Sequence, residues 1–298
     1  MDIVAVGLGE VLWDVLPGGK KIGGAPANFA YHVSQFGIES HVASAVGSDK
    51  LGDEALDVLN GKGIDTSYIK RVGYPTGAVR VALDEKGVPE YRFDSATAWD
   101  NIPFTADMKE LAERTTLVCF GSLAQREGVS RQTIRSFLQA MPVSESTLKV
   151  FDVNFRQNFY GRDVVETSLK MCNVLKINDE EIVEIARMFG WEGHGIAEVC
   201  RRLMEAFDLK VLILTCGTEG SYVYWKSPDG SEEHFLDTPR VEVADTVGAG
   251  DAFTAAFCAS VAKGKDIAEA HGLAVDVSAY VCSCRGAMPE LPKSLKER

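Results

Sequence analysis

Asp245-Thr246-Val247-Gly248-Ala249-Gly250-Asp251-Ala252-Phe253 puts two glycines and a carboxylate at the head of an apolar run. From Ala252 to Ala262 that run reads as a buried helix, with Phe253, Phe257 and Val261 spaced for one face. Gly248 and Gly250 permit backbone angles and close approach that a side chain would block. A helix start behind glycines offers unpaired N–H groups, and these attract an anion. Asp251 falls in that first turn, where the anion would arrive. A carboxylate beside an anion site is poor design for binding alone. It suits removal of a proton from a hydroxyl that then attacks phosphorus. The simpler reading of an isolated Gly-Ala-Gly-Asp is a first-turn acid that favours the helix dipole.

Outward from this stretch, apolar strand-like runs alternate with helical patterns. Strands are expected near 3–6, 41–45, 117–120, 149–153, 174–177 and 211–215, and helices near 27–36, 54–62, 131–140, 179–189, 196–207 and 251–263. Such alternation predicts a mostly parallel sheet covered on both faces, with ligands beyond the carboxyl ends of its strands. Residues 72–99 break the rhythm. Gly77 to Leu83, a Gly87 turn and Pro89 to Phe93 read as a hairpin of period two. With the short segment 11–21, which ends in Pro17-Gly18-Gly19, they would form a small extra sheet. No Pro/Ser-rich linker or internal repeat appears, so 298 residues are read as one α/β domain spanning 1–298.

Composition excludes several classes. Hydrophobic residues make up 46%, which predicts a sizeable core. The 43 acids against 31 bases give a net charge of -12, which argues against a nucleic-acid partner. No apolar run is long enough for a membrane span, and no signal peptide is read before the first strand, so a cytoplasmic location is expected. Seven scattered cysteines fit a reducing compartment, and the Cys282/Cys284 pair lacks partner ligands at metal spacing. Five dispersed histidines offer no zinc site. Gly7-Leu8-Gly9 would need a third glycine at position 12, which is Leu12, so the dinucleotide fingerprint fails. No Walker-type P-loop string is present.

Gly23-Gly24-Ala25-Pro26-Ala27-Asn28 is the second informative block. Pro26 suits a helix start, and Asn28 in the first turn offers both donor and acceptor; alone, it would read as a cap. In Phe151-Asp152-Val153-Asn154-Phe155-Arg156, alternate positions on one strand face would aim Asp152, Asn154 and Arg156 together. Arg156 then touches substrate or phosphoryl group, or pairs internally with Asp152. Asn178-Asp179-Glu180-Glu181 reads as a capping box, which is compatible with a metal-orienting role for Glu181.

These blocks together resemble the ribokinase-like, or PfkB-type, carbohydrate kinases, with matches from Gly9 to near Pro289. The resemblance implies a three-layer α/β/α fold with a small β-sheet lid over the sugar, a sheet that often mediates homodimerisation. It implies Asp251 as catalytic base and an anion hole behind Gly248, formed by the amides of Ala249, Gly250 and Asp251. It implies that Asp14, Gly24 and Asn28 bind sugar hydroxyls. Glu181, with Asn178, matches the family's Asn-x-x-Glu motif and would hold Mg²⁺ through water. Thr215, Gly217 and Gly220 resemble its nucleotide-phosphate loop. Backbone carbonyls of Asp245 and Val247, with others near 282–285, would hold a monovalent cation such as K⁺. ATP and a sugar are the implied small-molecule partners. Within the family, the Asp251 stretch and Arg285-Gly286-Ala287-Met288-Pro289 look most like fructokinases. A ketodeoxygluconate kinase is the alternative, with Arg92 and Arg156 as carboxylate ligands and Glu90 as counter-evidence; ribokinase is third. Trp13 is assigned to core packing over a sugar face. A sugar sensor without catalysis would have lost Asp251 or its glycines, and all are present.

Overall fold

The computed structural model describes residues 2–16, 18–83, 89–228 and 230–298. Pro17, the Gly87 turn and the side chain of Glu90 lie outside the described residues. The strands are β1 (Val4–Leu8), β2 (Leu12–Leu16), β3 (Gly19–Gly23), β4 (Glu39–Gly47), β5 (Ile69–Val72), β6 (Gly77–Leu83), β7 (Pro89–Phe93), β8 (Leu117–Phe120), β9 (Leu148–Asp152), β10 (Val174–Asn178), β11 (Val211–Thr215), β12 (Ser221–Ser227) and β13 (Gly230–Leu236). The helices are α1 (Ala25–Ser34), α2 (Lys50–Gly61), α3 (Ala106–Arg114), α4 (Gly128–Ala140), α5 (Arg162–Met171), α6 (Asp179–Phe189), α7 (Ile196–Ala206), α8 (Ala249–Ala262), α9 (Ile267–Cys282) and α10 (Lys293–Lys296).

Among the described residues the main sheet has nine strands, ordered β13-β12-β11-β10-β9-β8-β1-β4-β5. Pairing is parallel from β11 to β5 and antiparallel at the β11–β12–β13 edge. The parallel strands are buried on both faces, which is why they read as unbroken apolar runs. One core packs α3 to α7 on one face, through Met108, Phe137, Leu169, Ile185 and Leu203. The other packs α1, α8 and α9, through Phe29, Phe257 and Leu273. The result is helix, sheet and helix in three layers. Helix α8 is buried from Ala252 to Ser260, and full burial of a side chain such as Phe257 stabilises by about 2–3 kcal/mol. Helix α1 sits directly on β1: a Cβ on Gly7 would stand 1.9 Å from the Pro26 carbonyl oxygen.

A second sheet, ordered β3-β2-β6-β7, stands beside the first. It joins the two segments that sequence had singled out. The expected strands and helices are present, with ends shifted by a few residues. The edge hairpin β12–β13 was not anticipated. Strand β13 is mostly exposed, so no apolar alternation marks it. Strand β5 and helices α3, α5, α9 and α10 were also unmarked; α3 and α5 are short and bury only a narrow stripe, whereas α9 is apolar around much of its girth and shows no clear amphipathic period.

Candidate active site

Gly248 ends the loop before α8 in the left-handed region, φ 81, and is the helix N-cap. A Cβ there would come within 2.6 Å of the Ala287 Cβ, so glycine is required by both angle and space. The Ala249 N–H closes a turn onto the Thr246 carbonyl at 3.3 Å. The Gly250 and Asp251 amides have no acceptor among the described residues, as expected in a first helical turn. The free donors are therefore two, not the three that the sequence suggested.

Asp251 Oδ2 accepts a 2.7 Å bond from Asn28 Nδ2, joining the starts of α8 and α1. Burial pushes the Asp251 carboxyl up to about 6, and the neighbouring Asp152 charge adds to this. The Asn28 bond and the cations Lys176 and Arg156 pull the other way. Asn28 is 3% exposed, and its Oδ1 has no partner among the described residues. Gly24 lies at φ 116, where a Cβ would strike the Glu10 carbonyl oxygen at 2.2 Å. Gly23 leaves room for a carboxylate, since its Cβ would fall 2.5 Å from Asp14 Oδ2. Burial raises Asp14, while the charges of Arg156 and Lys21 oppose the shift. The Arg156 charge thus acts on Asp14, Glu10 and Asp251 alike.

Arg156 is not on a strand face with Asp152, because β9 ends at Asp152 and Asn154 turns left-handed at φ 45. Nor does it pair with Asp152. Lys176 Nζ takes that place, 3.2 Å from Asp152 Oδ1, while Thr254 donates to Asp152 Oδ2 at 3.1 Å. Lys176 stays charged although buried, since the Asp152, Glu181 and Asp251 charges outweigh its desolvation. The sequence reading passed over Lys176. Its signal was a lysine inside an otherwise apolar buried strand, which demands a partner.

Arg92 is not brought to this site. It pairs in register with Arg80, and Arg80 with Val15, whereas Asp14 pairs with Val79. Alternation along the small sheet therefore puts Arg92 on the face opposite Asp14. Trp13 shares that opposite face; it is 3% exposed in a core with Ala55 and Leu59, and its Nε1 donates to the Leu51 carbonyl at 2.9 Å.

On the other side of Gly250 lies a cavity of about 880 Å³. Its lining includes Asn178, Thr215, Gly217, Gly220 and Gly250, all anticipated, together with Lys176, Arg240, Val241, Ser278 and Cys282, which were not. Lys176 Nζ reaches to 3.3 Å from where a Gly250 Cβ would stand, and both residues line this cavity. Asn178 and Glu181 form the capping box of α6. Glu181 Oε2 accepts from the Asn178 N–H at 3.0 Å and Oε1 from the Phe155 N–H at 2.9 Å. Each oxygen keeps a lone pair, so the donor set fits a hydrated ion better than direct ligation. No cluster of three or more His, Cys, Asp or Glu occurs among the described residues. The Asp245 carboxylate is engaged by Lys21 at 3.2 Å and by the Val247 and Gly286 N–H groups at 3.1 Å. The Cys282 carbonyl, one of those suggested for a monovalent ion, already accepts from Ala244 and Asp245.

The chain is 29% identical over 280 residues to an ATP-dependent 6-phosphofructokinase of Thermoanaerobacterium thermosaccharolyticum, covering 92% of this chain and 82% of that one. It is 29% identical over 310 residues to a fructokinase of Klebsiella pneumoniae, covering 96% and 95%. A sugar kinase of Pyrococcus horikoshii, solved in complex with ATP, superposes with a TM-score of 0.78 at 28% identity, covering 96% and 94%. The profile of the pfkB family carbohydrate kinases matches residues 4–294. The sheet order, the glycine-capped helix carrying Asp251 and this match agree: the chain belongs to the pfkB family of carbohydrate kinases.

Proposed function

We propose that the protein transfers the γ-phosphate of MgATP to a sugar hydroxyl, with fructose as the leading acceptor. The observation that carries this reading is the position of Asp251. It directly follows Gly250, which lines a nucleotide-sized cavity, is hydrogen-bonded to Asn28 and lies, like Asp14, within reach of the Arg156 charge. ATP occupies the cavity, its triphosphate running toward Gly250 along Thr215, Gly217 and Gly220. The sugar lies on the other side, held by Asp14, Asn28 and the Gly24 backbone. Its hydroxyl gives its proton to Asp251 as the oxygen attacks phosphorus in line. The new O–P bond forms while the bond to the β-phosphate oxygen breaks, and ADP leaves. Lys176 and the Gly250 and Asp251 amides face the charge that develops on the transferred group. Glu181 and Asn178 would hold Mg²⁺ through its water shell, supplying charge neutralisation on the phosphates.

The small sheet serves as a lid over the sugar and as the surface of a homodimer, within one domain. Carbonyls of Asp245 and Val247 form a K⁺ site, and the enzyme works in the cytoplasm, where its free thiols stay reduced. The ketodeoxygluconate reading loses one of its two cations, because Arg92 faces away from Asp14. Arg156 alone remains for a carboxylate, which favours a neutral sugar.

The test is ADP release from MgATP over fructose, fructose 6-phosphate, ketodeoxygluconate, ribose, glucose and adenosine, with and without K⁺. Highest kcat/KM for fructose is expected. Preference for the sugar acid or the sugar phosphate would reassign Arg156 as an anion ligand. Sugar binding without turnover on any of them would discard catalysis in favour of sensing.

A further inference from the structure

Glu10 follows β1 at the sheet's carboxyl edge and is 2% exposed, yet its Oε2 has no hydrogen-bond partner among the described residues. The rest of the carboxyl is placed with purpose. Helix α1 has Gly24 as N-cap, so no side chain of its own can satisfy its first amides. Glu10 packs against this helix start, its carbonyl oxygen 2.2 Å from where a Gly24 Cβ would stand, and the Ala25 N–H helps hold its carboxyl down against burial. The same helical turn carries Asn28, which donates to Asp251. Glu10 therefore touches both the start of α1 and the electrostatic surroundings of Asp251.

The charged groups acting on Glu10 are Asp251 from α8 and Arg156 from the segment after β9. Helix α1 holds no carboxylate or lysine: its Tyr31 ring lies under Lys62 from the end of α2, and its His32 is bonded to the Ala287 carbonyl. A buried carboxylate with an orphan oxygen, facing a second carboxylate, is a costly arrangement. A neutral acid in the same place is not.

We infer that Glu10 is a positioning residue that works as the uncharged acid, steadying the first turn of α1 and so Asn28, while leaving Asp251 the negative charge on its side of the site. The proposal rests on Asp251 being the base. Burial, with the Asp251 charge adding to it, pushes Glu10 up to about 7, and burial pushes Asp251 up to about 6. Activity should rise as Asp251 loses its proton and fall as Glu10 loses its own.

The experiment is the pH profile of kcat/KM for the sugar in wild type, Glu10→Gln and Glu10→Ala, with carboxyl ¹³C NMR of the free protein. The Glu10 resonance is assigned by its loss in Glu10→Gln. Expected is a Glu10 titration near 7, and an alkaline limb that moves up by at least about one pH unit in Glu10→Gln. Glu10→Ala should lose tenfold or more in kcat, with Glu10→Gln recovering most of it. A Glu10 resonance that titrates in the ordinary glutamate range would overturn the proposal, as would an unmoved alkaline limb or a Glu10→Ala enzyme with wild-type kcat. Because the NMR titration needs no turnover, it decides the charge of Glu10 even if the kinase reading itself fails.

Discussion

Two side chains decide what the site can do. Asp251 must be ionised to act as a base, so turnover should fall as pH drops through about 6. Its raised value also bears on stability. The folded protein binds this proton more tightly than the unfolded chain, so ionising Asp251 costs stability as pH rises from about 4 toward 6. Asp251→Asn should therefore be inactive and more stable at pH 7, by up to roughly 3 kcal/mol. Denaturant melts of both proteins at pH 4 and 7 check this; an equal gap at the two pH values would refute it. Lys176 works differently. Lys176→Met leaves Asp152 buried without its cation and should cost about 3–5 kcal/mol. Adding Asp152→Asn should restore much of the stability but none of the kcat. Recovered kcat in the double variant would show that Lys176 serves only to neutralise Asp152.

At the scale of elements, the start of α8 is fixed by Gly248. Gly248→Ala meets both a positive φ and the Ala287 backbone, so a loss of about 1–3 kcal/mol is expected, with kcat falling more than sugar affinity. Steady-state kinetics beside a sugar-binding titration separates the two; equal losses would place Gly248 in sugar binding instead. This helix start was legible in the sequence because glycines and a first-turn acid have few structural explanations. So was the small sheet, from its period-two pattern. Arg92 and Arg156 were harder to place. Sequence offers a cation near the right segment, but the face it presents depends on strand register and on where β9 ends. Lys176 was missed for a related reason. Its partner Asp152 comes from a neighbouring strand, and only sheet order makes them adjacent.

At the scale of the whole molecule, the proposed sugar position lies between two sheets, and the Lys21–Asp245 ion pair ties the small sheet to the loop before α8. If the small sheet is a lid, sugar and a non-hydrolysable ATP analogue together should slow amide exchange in β2, β3 and residues 245–248 more than either alone. Additive effects in hydrogen-exchange mass spectrometry would argue against a coupled closure. The counterpart to that moving part is the seat of α1 on β1. Gly7 admits no side chain because the Pro26 carbonyl occupies its space, and Gly24 admits none because of Glu10. Neither letter can drift by itself, since backbone, not a yielding side chain, fills each gap. A library built to change sugar preference should therefore vary positions 14, 28 and 156 freely while holding 7 and 24 fixed; diversity spent on those two would be recovered as glycine.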